Sequence, residues 1–276
     1  MLPISIKGRT MQVLSSDDLG FLKSVILEAG GMARRIQQGD FHPERKEDSS
    51  LVTLADLEVQ RYLVERISGR FPGIGFIHEE AFDKNSAELK TNSLTAVIDP
   101  IDGTAVYSMM LPTWSISLGI FRGTRPLYGF VYSPGCGMLF HNDDENAYLN
   151  DRILKVDRNM RVDSETNVFI PGELFSSMHI RYRGKVRNFG STALHACLVA
   201  DNRRNRALAF YGQAYIWDWA GAYPVILKAG GQVRYLDGGE VDFAEALRNG
   251  CQLTGYAAAY SKDDFDYVRS IIEIIR

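Results

Sequence analysis

The hydrophobic period of this chain changes twice along its length, and that limits the architectures open to it. Leu19, Leu22, Ile26, Ala29, Ala33 and Ile36 recur at helical spacing and predict a helix from about Ser16 to Ile36. Ser15 or Ser16 can cap it, and Asp17 and Asp18 sit where a helix dipole favours acids. The polar run Gln37 to Ser50 reads as a loop, and a second helix is predicted from near Thr53 to Ser68, with Val59, Leu63 and Ile67 on one face. The period then shortens. Gly75–His78 and Leu94–Asp99 read as buried strands, and segments from Thr113 to Leu149 read as antiparallel strands joined by Gly- and Asp-rich turns. After Asp151 strands and helices alternate. Strands are predicted near Val168, at Arg206–Phe210, at Gln232–Tyr235 and at Tyr256–Ala259. Helices are predicted at Ser191–Ala200, Asp218–Lys228 and Asp263–Ile275. This pattern predicts layered α/β (α+β) packing, in a single unit over 1–276 with approximate halves 1–150 and 151–276.

Composition narrows the function classes. The chain has 276 residues, 45% hydrophobic and 24% charged, with a formal net charge of −3. A disordered chain would be less apolar and more highly charged. A nucleic-acid binder would be clearly basic, so no nucleic-acid partner is expected. No run approaches about 18 apolar residues, so no membrane span is expected. The N-terminal stretch lacks a signal-peptide apolar core, which makes a cytoplasmic location the expectation. Cys136, Cys197 and Cys251 are far apart and form no CxxC, against a disulfide framework or a zinc site.

The stretch Leu94-Thr-Ala-Val-Ile-Asp-Pro-Ile-Asp-Gly-Thr104 carries the most chemistry. An apolar strand delivers Asp99, Pro100 turns the chain, and Asp102 follows three residues after Asp99. Two carboxylates so placed can share a hard cation such as Mg²⁺, which takes oxygen ligands at about 2.0–2.1 Å. Gly103 permits tight backbone geometry, and the Gly103 and Thr104 amides can hold a phosphate. D-P-x-D-G is also a good turn sequence, so spacing alone leaves ligation and a plain turn both open. Three further sites carry acids in suggestive places. Glu79 and Glu80 close a strand, Asp218 begins an apolar helix, and Asp56 follows Thr53 at a spacing close to a capping box.

Jointly these segments resemble the inositol monophosphatase family of Mg²⁺-dependent, Li⁺-sensitive phosphatases. The resemblance lies in Leu51-Val-Thr-Leu-Ala-Asp56, Phe76-Ile-His-Glu-Glu80, Asp99-Pro-Ile-Asp-Gly-Thr104 and Trp217-Asp-Trp-Ala-Gly221, in the family's order. Ser115–Gly119, Tyr128–Pro134, Gly190–Leu194 and Lys228–Gly231 agree with it, and the likeness runs from about Asp17 to the C-terminus. It implies a layered α-β-α-β-α sandwich of the inositol monophosphatase and fructose-1,6-bisphosphatase type. It implies that Glu79, Asp99 and the Ile101 carbonyl hold one Mg²⁺, that Asp99, Asp102 and Asp218 hold another, and that about two or three ions bind per site. Asp56 and Thr104, with Glu79, would orient and deprotonate the attacking water, and Asp102, Gly103, Thr104, Gly190, Ser191, Tyr211 and Asp218 would line the phosphate and substrate.

The implied activity is phosphomonoester hydrolysis of a small polyol or sugar phosphate, inositol monophosphate foremost. Fructose-1,6-bisphosphate, histidinol phosphate and 3′-phosphoadenosine 5′-phosphate are the alternatives, and a non-catalytic sugar-phosphate or protein binder is the rival from another class. A homodimer is the expected assembly. The departures from the family pattern bear on specificity. His78 stands where the family usually has Gly, and Ala105-Val106-Tyr107 follow the D-P-I-D-G-T run, which often continues to Asn. Tyr211 stands seven residues before Asp218, where the inositol enzymes place an acid, with Gln213 nearby. His195 takes the place of an acid or Asn, and Asp201–Arg206 is unusually basic and reads chiefly as a solvated turn.

Overall fold

The computed structural model describes residues 14–39, 44–45, 51–52, 54–80 and 93–275. The first helix is Ser16–Gln37, and its start follows from Ser15 and Asp18. The Ser15 hydroxyl accepts the Asp18 amide while the Asp18 carboxylate accepts the Ser15 amide, a reciprocal cap. The second helix is Leu54–Arg70; Thr53, the expected cap, lies outside the described residues. Within the predicted 37–50 loop, Glu44–Arg45 pairs antiparallel with Leu51–Val52, and the rest from 40 to 50 is outside the described residues.

A seven-stranded sheet runs in the order Gly75–His78, Leu94–Asp102, Ser115–Arg122, Arg125–Ser133, Met138–Asn142, Ala147–Leu149, Arg152–Leu154. The first pair is parallel and the rest form an antiparallel meander. Alternation along the strands sorts side chains to two faces. Ala96, Ile98, Leu118, Ile120 and Phe130 pack under the two N-terminal helices. Val97, Phe121, Val131 and Phe140 face the opposite way. There they meet the helices Thr192–Ala200, Ile216–Ala220 and Ala222–Lys228. Beneath those helices lies a five-stranded sheet in the order Lys185–Arg187, Asn167–Phe169, Ala207–Gly212, Ala257–Tyr260, Gln232–Tyr235. Its far face carries Val168, Leu208, Tyr211 and Tyr260 under the short helix Phe265–Ser270. The layers are therefore α-β-α-β-α. Among the described residues no helix is long and apolar enough to cross a membrane.

Three local expectations need correction. The helix predicted over Asp218–Lys228 is two helices, Ile216–Ala220 and Ala222–Lys228. Pro224 has no amide to donate to the Ala220 carbonyl, so the ladder breaks there. The carbonyls of Ala220 and Gly221 press instead on Gly119 and Gly129, where an added Cβ would lie 2.5 and 1.9 Å from them. This is how the middle helical layer sits so low on the first sheet. The C-terminal helix stops at Ser270, and Ile272–Ile274 pairs antiparallel with Met178–Ile180. The β-branched run Ile271-Ile272-Glu273-Ile274-Ile275 fits a pleated edge better than a helix. A helix at Phe243–Arg248, capped by Asp242, was not anticipated.

Candidate active site

The site forms where the Leu94–Asp102 strand leaves the first sheet. Asp99 pairs with Ser117 and Asp102 with Ser115, so the Asp-Pro-Ile-Asp segment holds one residue more than the strand opposite. Pro100 cannot donate to a ladder, and the resulting bulge turns both acids toward one place. The Asp99 Oδ1 accepts the Ile101 amide at 3.1 Å, which tightens the turn. Thr104 Oγ1 donates to the Ile101 carbonyl at 3.1 Å. Gly103 takes φ +94°, and its missing side chain matters for a second reason: an added Cβ would lie 2.7 Å from the Gly190 carbonyl. Gly190, at φ +90°, packs closer still on Val106, where an added Cβ would lie 2.3 Å from the side chain. Here the first sheet's strand end and the helix Thr192–Ala200 touch.

That contact sets the surroundings of Asp102. Its carboxylate accepts the Thr192 amide at 3.0 Å, the Ala193 amide at 2.8 Å, the Ser115 hydroxyl at 3.2 Å and the Ser191 hydroxyl. Ser191 also accepts the Leu194 amide, so one hydroxyl caps the helix and holds the acid. Asp218 comes from the other side, on the Ile216–Ala220 helix, where it accepts the Tyr215 amide at 2.7 Å. Ser117 fixes this segment, donating to the Trp217 carbonyl at 2.9 Å and accepting the Gly221 amide at 3.3 Å.

Glu79 follows the first strand and hangs on the second, its amide donating to the Ile98 carbonyl at 3.2 Å. Gln60 grips the next residue reciprocally, accepting the Glu80 amide at 3.1 Å and donating to the Glu80 carbonyl at 2.9 Å. His78 Nδ1 lies 2.6 Å from that same carbonyl and must be the protonated nitrogen, since a carbonyl only accepts. Asp56 is fully buried one helical turn before Gln60; burial, and then the charge of Asp56, push the Tyr107 phenol up.

Carboxylate oxygens of Asp99, Asp102 and Asp218 lie within 4.8 Å of one another. Asp99 and Asp102 are 1% and 5% exposed, and no ion pair among the described residues reaches any of the three. Burial, then the charges of Glu79, Asp102 and Asp218, raise the Asp99 carboxyl well above the usual carboxylate range. Burial, then Asp102 and Glu79, do the same to Asp218. Burial raises Asp102 too, against its hydrogen bonds from Ser191, Ala193 and Thr192. All-oxygen donors on opposite sides of one Mg²⁺ stand about 4.2 Å apart, so the cluster has the chemistry and nearly the span of a hard-cation site. A divalent ion would reverse the local charge that now raises these groups.

The inositol monophosphatase family model matches residues 18–261. The chain belongs to the inositol monophosphatase family. Inositol monophosphatase 2 of Saccharomyces cerevisiae is 25% identical over 245 residues, spanning 80% of this chain and 82% of the relative. The Thermotoga maritima IMPase structure superposes with a TM-score of 0.76 at 23% identity, covering 92% of this chain and 96% of that one. An IMPase/NADP phosphatase complexed with Mg²⁺ and phosphate superposes at 0.75 with 18% identity, covering 91% and 93%. As a member of this family the protein is a phosphatase, a hydrolase.

The fold brings Glu79, Asp99, Ile101, Asp102, Gly103, Thr104, Gly190, Ser191 and Asp218 to one place. Tyr211 is not among them. Its side chain is fully buried on the far face of the second sheet and its hydroxyl donates to the Val268 carbonyl. Counting back from Asp218 lands inside the Ala207–Gly212 strand, where alternation sends Tyr211 outward and Phe210 inward, toward His195 and Trp219. Sequence reasoning also passed over Ser115, Ser117 and Gln60. The two serines left a trace: they are polar at every second position of an otherwise apolar strand.

Proposed function

We propose that the protein is a Mg²⁺-dependent phosphomonoesterase acting on a small polyol or sugar phosphate, inositol monophosphate foremost. The observation that carries this reading is the convergence of Asp99, Asp102 and Asp218, whose carboxylate oxygens lie within 4.8 Å of one another, with the charge of Glu79 acting on Asp99. Glu79, Asp99 and the Ile101 carbonyl would hold one ion, and Asp99, Asp102 and Asp218 a second. Bound Mg²⁺ supplies Lewis-acid polarisation of the phosphoryl group, an acidified water and charge compensation at the leaving oxygen. Phosphoryl transfer needs mainly positioning and charge neutralisation, which this donor set can provide.

The remaining roles fall to the chain itself. Thr104 would orient the attacking water, and the Asp56 carboxylate would take up its proton. The Gly103 and Thr104 amides face the phosphate, beside Gly190. Ser191 is engaged by Asp102, so it acts through that carboxylate. With Tyr211 removed from the pocket, the preference for inositol monophosphate rests on the family's named relatives. Li⁺ sensitivity and a homodimer belong to the same reading and are carried by family membership alone.

The test is phosphate release from inositol 1-phosphate, fructose 1,6-bisphosphate, histidinol phosphate and 3′-phosphoadenosine 5′-phosphate, with Mg²⁺ and then with EDTA. Mg²⁺-dependent turnover, fastest on inositol 1-phosphate, is expected. Absence of turnover on every substrate would sink the enzymatic reading, and a different leader would replace the substrate.

A further inference from the structure

His195 sits in the first full turn of the helix Thr192–Ala200, its amide donating to the Ser191 carbonyl at 3.1 Å. The side chain is 1% exposed and caged by Phe169, Phe189 and Phe210, whose ring centroids lie 5.4, 5.7 and 5.5 Å away. Such a cage would hold a phenyl ring equally well, so packing alone does not call for an imidazole. The polar contact does. The Phe189 amide donates to His195 Nε2 at 2.6 Å, which makes Nε2 the unprotonated nitrogen and leaves the hydrogen on Nδ1. Burial lowers the imidazole to about 3, so the ring is neutral and keeps that acceptor.

Phe189 is held at its other end as well: Thr113 Oγ1 donates to its carbonyl at 2.6 Å. The next residue, Gly190, is the one pressed on Val106, and the residue after that is Ser191, whose hydroxyl donates to Asp102. Two tethers on one residue, one on each of its flanking peptide groups, therefore fix a turn that ends on a carboxylate of the cation site.

We propose that His195 is a positioning residue for Asp102. By accepting the Phe189 amide it locks the Phe189–Ser191 turn in the arrangement in which the Ser191 hydroxyl reaches the carboxylate, and so presets Asp102 for a divalent cation. The inference rests on the Mg²⁺ reading above. Partners one step removed from a metal orient its ligands, and their loss typically weakens metal affinity by about 10- to 100-fold; Ser191 holds that position and His195 acts through it, so the low end of that range applies.

Two substitutions separate the tether from packing. His195→Phe keeps the ring and removes the acceptor; His195→Gln gives up the ring and keeps an acceptor near the Nε2 position. Mg²⁺ affinity is measured by calorimetry on the full chain without substrate, alongside kcat and KM. His195→Phe is expected to bind Mg²⁺ about 10-fold more weakly and lower kcat with little change in KM, and His195→Gln to stay within about threefold of the parent. Equal losses in the two variants, the reverse order, or unchanged affinity in His195→Phe each overturn the proposal. Should His195→Phe not fold, as judged by circular dichroism, Thr113→Val removes the second tether at nearly constant volume and is expected to weaken Mg²⁺ at least about threefold. Unchanged affinity there overturns the proposal too. Amide hydrogen exchange over residues 189–192 separates the two levels of inference. If the parent binds no Mg²⁺, the Mg²⁺ reading fails, and the tether is judged on whether exchange speeds up in His195→Phe and not in His195→Gln.

Discussion

Asp99 and Asp102 stand three residues apart on one strand end, yet they are buried in opposite ways. Asp102 is surrounded by donors: two amides from the start of the Thr192–Ala200 helix and two serine hydroxyls. Asp99 receives the Ile101 amide and otherwise faces Glu79, Asp102 and Asp218. One carboxylate is already stabilised by the protein, and the other is left where only a cation or a proton relieves it. A hydrogen-bonded acid fixes the geometry of a metal site, whereas a crowded acid supplies its affinity.

The sharpest way to break this contrast is Asp99→Asn. Turnover is expected to fall by about 10³-fold or more, since under the proposed function Asp99 would be the ligand shared by both ions. Thermal stability without cation should hold or rise, because a crowded buried charge is gone. Full activity in this variant, read by phosphate release, refutes the bridging role. Asp102→Asn should cost less activity, roughly 10²-fold, but lower stability by about 1–3 kcal/mol in urea unfolding, because an amide cannot accept from all four donors. Equal stability of the two variants would erase the distinction between the acids.

Tyr211→Glu serves as a control outside both environments. It places a carboxyl in an apolar layer and removes the bond to the Val268 carbonyl, so a loss of about 3 kcal/mol is expected, with the substrate ranking unchanged. A shifted ranking in the folded variant would return Tyr211 to the pocket. The smallest effect concerns pH. Folded Asp99, Asp102 and Asp218 titrate above their ordinary value of 3.8, so the cation-free fold holds more protons than the unfolded chain. That contribution to stability is present at low pH and is lost as pH rises through the raised values. Under the proposed function Mg²⁺ would take the place of those protons. The gain in Tm on adding Mg²⁺ should therefore be larger at pH 8 than at pH 5, and an equal or reversed gain would contradict the crowding of Asp99.

The four longest strands of the first sheet were legible because helices cover both faces, so that each reads as a nearly continuous apolar run bounded by turns; Arg152–Leu154, at the sheet's edge, was not. The short strands Met178–Ile180 and Lys185–Arg187 were not, since three residues carry no period. The Phe243–Arg248 helix is likewise too short to show one, and its Asp242 cap was the signal that went unread. At the site, Asp99, Asp102 and Asp218 were legible as acids set against apolar segments and proline. Which side of a strand a residue takes near its end was not, as Tyr211 shows.

The linear order of residues by itself determined the layered architecture, the family, and the acids on the Asp-Pro-Ile-Asp turn, because periodicity and local turn chemistry act over a few neighbours. Only the tertiary structure decided that Ser115, Ser117 and the amides after Ser191 attend those acids and that Tyr211 does not. Those partners come from residues 13 to 91 positions away from the acid, or 100 and 104 positions apart where Ser117 grips the Trp217–Gly221 segment. They meet through the close packing of sheet on helix, a relation that no local pattern encodes.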